Sequence, residues 1–124
     1  EWQIERGGNW SKGKSADGYG PVGPWLVTPD EVGDPQSLDL WLERNGEIMQ
    51  KGSTADMIFP VTDLISYLSQ CMSLNVGDII ATGTPAGVGL GRKPPTFLED
   101  GDVLRLGITG LGEQSYPVFA AKGP

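Results

Sequence analysis

Thr82-Gly83-Thr84-Pro85-Ala86-Gly87-Val88-Gly89-Leu90-Gly91 gathers hydroxyls and glycines into one short stretch. Thr82 and Thr84 stand at alternate positions, so both hydroxyls can face one side while the chain stays extended. Gly83 and the later glycines expose backbone N–H groups with no side chain in the way, which suits an oxyanion or a carboxylate. Lys14 sits between Gly13 and Ser15, just ahead of Asp17. A lysine in a partly buried loop can hold a substrate carboxylate or take part in proton transfer. On these residues alone a plain glycine-rich turn and a solvated lysine remain open alternatives. Two nucleotide motifs are excluded. Gly91 is followed by Arg92-Lys93-Pro94, the wrong register for a phosphate loop. Gly87, Gly89 and Gly91 lack the dinucleotide spacing, and Pro94-Pro95 argues against a helix opening there.

Composition narrows the chemistry further. With no histidine in 124 residues, Ser–His and Cys–His catalysis and imidazole metal sites are excluded within the chain. Carboxylates, lysines, hydroxyls and backbone amides are what is left. The single cysteine, Cys71, has no partner for an internal disulfide, so a reducing, cytoplasmic setting is the default. It reads as a small core residue, since no base accompanies it. A net charge of −7, spread along the chain, disfavours nucleic acid and anionic membrane as partners. No apolar run is long enough to span a bilayer.

The elements that must position these residues are mostly strands. Glycine (19) and proline (10) are abundant, which predicts many turns and little helix. Residues 7–24 read as a long ordered loop anchored by Trp10 and Tyr19, and residues 25–27 as a short strand. Alternating apolar residues over 37–44, then Asn45-Gly46, then 47–50, form a hairpin signal. Val61, Leu64, Ile65, Leu68 and Met72 recur at helical spacing after Pro60, giving an amphipathic helix of about three turns. A short apolar strand at 78–81 is expected to lead into the glycine loop, and 92–98 to run as an extended connector. Glu99-Asp100-Gly101-Asp102 reads as a solvated acidic turn without the spacing of a calcium loop. Val103, Leu104, Leu106 and Ile108 form a strand, Gly110-Leu111-Gly112 a turn, and 116–121 a last strand. The tally is one β-dominated α+β domain over residues 1–124 with one good helix.

Several motifs in this order resemble the C-terminal catalytic domain of the fumarylacetoacetate hydrolase family. They are Gln3 within Trp2-Gln3-Ile4-Glu5-Arg6, then Gly13-Lys14-Ser15-Ala16-Asp17 and Gly23-Pro24-Trp25. Asn45-Gly46, Thr54-Ala55-Asp56-Met57-Ile58-Phe59, the Ala81–Gly89 stretch and Gly110-Leu111-Gly112 complete the set. The nearest flavour is that of bacterial ureidoglycolate lyases, diketo-deoxy-sugar-acid hydrolases and acylpyruvases. The resemblance implies a mixed, barrel-like β-roll, a homodimer, and a divalent metal, usually Mg²⁺, sometimes Mn²⁺ or Ca²⁺. It implies a small 2-oxo or 1,3-diketo acid substrate, cleaved at a C–C bond, decarboxylated or isomerised through a metal-stabilised enolate. By the same resemblance Lys14 and Gln3 are catalytic, and Thr84, with Gly83 and Thr82, grips the substrate carboxylate. The family's metal-holding carboxylates and its lid histidine have no match in the chain; the ligands are expected upstream of Glu1. Gly18 stands where many relatives carry a threonine. Glu1-Trp2-Gln3 opens without methionine, as an N-terminally incomplete domain would. The alternative is a non-catalytic, truncated domain of the same fold that dimerises and at most binds small acids.

Overall fold

A computed structural model describes residues 10–121. Its centre is the Asn45-Gly46 turn. Asn45 (φ 53°) and Gly46 (φ 83°) both take positive φ, as a tight two-residue hairpin demands. They join β1 (Asp39–Arg44) to β2 (Glu47–Ser53). β1 also pairs antiparallel with β3 (Val103–Ile108), which pairs in turn with β4 (Gly112–Pro117), giving the order β2-β1-β3-β4. Arg105 of β3 lies over the Trp41 ring and reaches Glu43 (3.2 Å) and Glu113 (2.6 Å), so one residue marks the register of three strands. Such exposed pairs contribute little energy but penalise a slipped register.

The β-dominated α+β character stands. The sheet is open, and all its pairings are antiparallel. One substantial helix follows, α3 (Val61–Cys71), after the short α1 (Trp10–Lys14) and α2 (Pro29–Val32). Pro60 occupies the N-cap of α3 and offers no side-chain cap. Gln36 compensates: its Oε1 accepts the Val61 N–H (2.8 Å) and its Nε2 donates to the Thr54 carbonyl (3.1 Å). One amide thereby satisfies an otherwise unpaired helix donor and ties the helix entry to the end of β2. Leu64 and Leu68 of α3 are half-buried, whereas Ile65 and Tyr67 are exposed. Among the described residues no hydrophobic side chain is fully buried, so the apolar faces of sheet and helix stay largely open.

Several expectations are corrected. Residues 10–14 form a helical turn within the expected loop, because Trp10 and Lys14 meet at i,i+4 spacing with the ammonium 5.6 Å from the ring centroid. Residues 25–27 are not a strand: side chains hold them, with Trp25 laid on Gly112 and the Gln114 amide donating to the Gly23 carbonyl. Residues 78–81 run into the glycine loop without joining the sheet, since no described strand lies beside them. The last strand starts earlier than expected because the turn closes tightly (Leu111 N to Ile108 O, 2.9 Å) and pairing restarts at Gly112. Cys71 is exposed in the open last turn of α3 and is not a core residue.

The acidic turn departs most. Asp102 is only 5% exposed and is not a solvated member of a charged loop. Its carboxylate accepts from the Glu99 N–H (2.7 Å) and the Asn45 side-chain amide (2.8 Å) and pairs with Arg44 Nε (2.7 Å). Asn45 in turn accepts from the Val103 N–H through its side chain (2.8 Å). One carboxylate therefore locks the β1–β2 turn to the entry of β3.

The Glu99 N–H above all, then the Asn45 amide and the Arg44 guanidinium, hold the Asp102 carboxyl below its ordinary value, with burial pulling the other way. The stabilisation is complete above the unfolded carboxyl pKa of about 3.9 and is lost as pH falls through the lower folded value. Thermal melts should therefore show the protein losing stability below about pH 4, with Asp102→Asn less stable at neutral pH and shallower in its acid dependence. Parallel acid limbs for the two proteins would remove Asp102 from this role.

Candidate functional site

The site is assembled on β2. Opposite β1, Leu42 faces Gln50 while Glu43 faces Ile48, so Met49 is an extra residue in β2. Such a bulge bends the strand and turns a carbonyl out of the ladder. Arg92 meets that carbonyl, donating from Nη2 to Met49 O (3.0 Å), and its Nε approaches Gly87 O at 3.5 Å. The glycine loop is thus drawn down across the bulge. Gly87 makes this approach possible. A Cβ there would sit far inside van der Waals contact distance of the Met49 carbonyl oxygen, and its φ of 109° is one that side chains resist. Farther along the strand Pro85 lies on Gly52, where an added Cβ would sit 2.8 Å from the proline ring.

Gln50 secures the catalytic-looking end of the loop. Its Nε2 lies 2.8 Å from Thr84 Oγ1 and 2.7 Å from Pro85 O. Between this loop and the exit of β2 opens a cleft of about 580 Å³. Thr82, Gly83 and Thr84 line it together with Lys51, Asp56 and Leu64 of α3. The threonine hydroxyls and the glycine backbone of this stretch are residue types able to donate to a small carboxylate.

Of the residues expected in the site, the structure brings Thr82, Gly83 and Thr84 to this cleft. Lys14 is exposed beside Trp10 and is not among the residues lining it. Gln3 lies outside the described residues. Lys51, Asp56, Gln50 and Arg92 are near or in the cleft without a signal in the sequence that marks them: Asp56 lies within the Thr54–Phe59 motif, and the other three have no local signature, since only the fold of the loop onto β2 gathers them. For a divalent metal the donor set falls short. Among the described residues no three Asp, Glu, Cys or His side chains cluster as ligands, whereas a hard cation takes six or more oxygens.

Comparison with known proteins gives the lineage. The family described as fumarylacetoacetate (FAA) hydrolase C-terminal matches residues 1–119. The chain belongs to the fumarylacetoacetate hydrolase family. A Burkholderia multivorans protein with a provisional hydrolase name is 62% identical over 123 residues, 98% of this chain and 44% of its own length. Fumarylacetoacetate hydrolase from psychrophilic Exiguobacterium antarcticum is 46% identical with a TM-score of 0.85, over 89% of this chain and 39% of that one. Maleylpyruvate hydrolase from Sphingobium sp. SYK-6, solved with manganese(II) and pyruvate, is 43% identical with a TM-score of 0.72, over 80% and 35%. The chain therefore spans less than half the length of these family members. As in these folds, the chain is a β-rich domain, and among the described residues no helix is long and apolar enough to cross a membrane.

The contact at Gly87 gives a direct check. Gly87→Ala should destabilise the protein by more than about 1 kcal/mol in chemical denaturation, since both the φ angle and the Met49 carbonyl resist a methyl group. A value within about 0.5 kcal/mol of the parent, the range of an ordinary surface change, would show that the loop does not lie on β2 in this way.

Proposed function

We propose that this chain builds the carboxylate-gripping part of the active site of a hydrolase or lyase acting on a small 2-oxo or 1,3-diketo acid. The observation that carries it is the cleft wall of Thr82, Gly83 and Thr84, in a chain of this family. Thr84 Oγ1 and the Gly83 N–H hold the substrate carboxylate, with Lys51 among the residues that line the same cleft. Hydrogen bonds from such donors to an ionised carboxylate contribute about 1.5–3 kcal/mol each. Lys14 and Gln3 act in catalysis in this proposal, on the strength of the motifs that surround them.

A divalent metal, Mg²⁺ or alternatively Mn²⁺ or Ca²⁺, belongs to the proposal through the manganese(II) and pyruvate of the Sphingobium relative. Its ligands are carboxylates other than those of the described residues, and when bound it supplies Lewis acidity to the oxo group. The residues described here bind, orient and screen the acid. A cytoplasmic homodimer completes the picture and is checked by sedimentation. The lack of a ligand cluster among the described residues favours one second reading, a domain that binds small acids without turning them over.

Turnover of acylpyruvates and oxaloacetate by the whole protein with added Mg²⁺ or Mn²⁺ separates the two. Thr84→Val should raise KM on the order of tenfold through the lost charge-assisted hydrogen bond, and Lys14→Ala should lower kcat with melting unchanged. Turnover indifferent to both substitutions would refute the active-site assignment. Oxo-acid binding without any turnover would favour the binding domain.

A further inference from the structure

We propose that Gln50 is a positioning residue that keeps the Thr84 hydroxyl hydrogen turned away from the loop and available to an acceptor in the cleft, such as a carboxylate oxygen. The inference rests on the cleft being an oxo-acid site and goes beyond it by assigning Gln50 a role.

Pro85 O is a carbonyl oxygen and only accepts, so the group 2.7 Å from it must be the NH₂ end of the Gln50 amide. That settles which way the amide faces. The same nitrogen lies 2.8 Å from Thr84 Oγ1, and its second hydrogen points there. A hydroxyl has one hydrogen and two lone pairs. With one lone pair occupied by a Gln50 N–H, and no lone pair on that nitrogen to receive it, the Thr84 hydrogen cannot turn back toward Gln50. Thr84 lines the cleft, and Gln50 is its hydrogen-bond partner among the described residues. The hydrogen is left for an acceptor in the cavity.

The glutamine is itself held in place. Gly87 rides so low over β2 that an added Cβ would come within 3.1 Å of Gln50 Cγ, and Arg92 fixes the neighbouring Met49 carbonyl. Backbone and loop therefore restrict the rotamer that delivers the two donors. An amide that donates to an acid-binding hydroxyl also polarises it, strengthening its bond to an anionic oxygen. The consequence is a preference for acceptors: a carboxylate takes the hydrogen that Gln50 cannot, whereas a ligand offering an N–H or O–H has one remaining lone pair of the hydroxyl to meet.

The test is a double-mutant cycle in the whole protein, read by calorimetric titration with pyruvate in the presence of Mn²⁺. Gln50→Glu replaces the donor with an acceptor that captures the Thr84 proton. It should weaken pyruvate binding on the order of tenfold, while Gln50→Asn, which keeps the chemistry but shortens the reach, should weaken it less. In a Thr84→Val background Gln50→Glu should have almost no further effect, because the hydroxyl it works through is gone. Equal losses in both backgrounds would reduce Gln50 to a strut for the loop, and no loss in either would remove it from the site. Pyruvate binding unchanged by Thr84→Val alone would instead overturn the oxo-acid site, a separate failure. The parent protein gives a check that needs no variant. Both Gln50 side-chain protons should exchange slowly with solvent and shift on adding pyruvate; rapid exchange of either would contradict the arrangement.

Discussion

The structure turns on one close approach: the glycine loop lying across the bulge of β2. β2 is an edge strand, and at its bulge the Met49 carbonyl is open to the loop. The extra residue at Met49 turns that carbonyl outward, Arg92 takes it, and Gly87 removes the side chain that would keep the two backbones apart. None of these contacts is strong alone. Together they fix a loop whose glycine content would otherwise favour many conformations.

What the loop gains from this is a direction for its hydroxyl. Gln50 stands next to the bulged residue, and the offset in β2 leaves its amide beneath Thr84 and Pro85. The sheet below is locked by a different device, the Asp102 carboxylate joining Arg44, Asn45 and the turn before β3. A buried carboxylate with this many donors is costly to leave unpaired, which penalises alternative registers of the hairpin. The scaffold is thus specified at one end of β2, by Asp102, and its chemistry is presented at the other.

Much of this was legible in the sequence. Asn45-Gly46 announced the hairpin, the Val61–Met72 spacing announced α3, and the Thr-Gly-Thr stretch announced a wall of donors that the fold does bring to a cleft. The failures share a physical cause. Asp102 looked solvated because its partners, Arg44 and Asn45, are remote in sequence and only the β1–β3 pairing brings them near. Residues 25–27 and 78–81 looked like strands because propensity is local, whereas a strand exists only where another lies beside it. Gln50 and Arg92 carried no signal for the same reason. Their work is done across the fold, on a loop far along the chain.

The central claim is that Thr84, set by Gln50, meets the carboxylate of a small oxo-acid. A crystal structure of the whole protein with pyruvate and Mn²⁺ tests it most directly. The account predicts a pyruvate carboxylate oxygen at about 2.5–3.0 Å from Thr84 Oγ1, with Gln50 Nε2 still bridging Thr84 and Pro85. Pyruvate bound elsewhere, or bound while Gln50 has left Thr84, would contradict it.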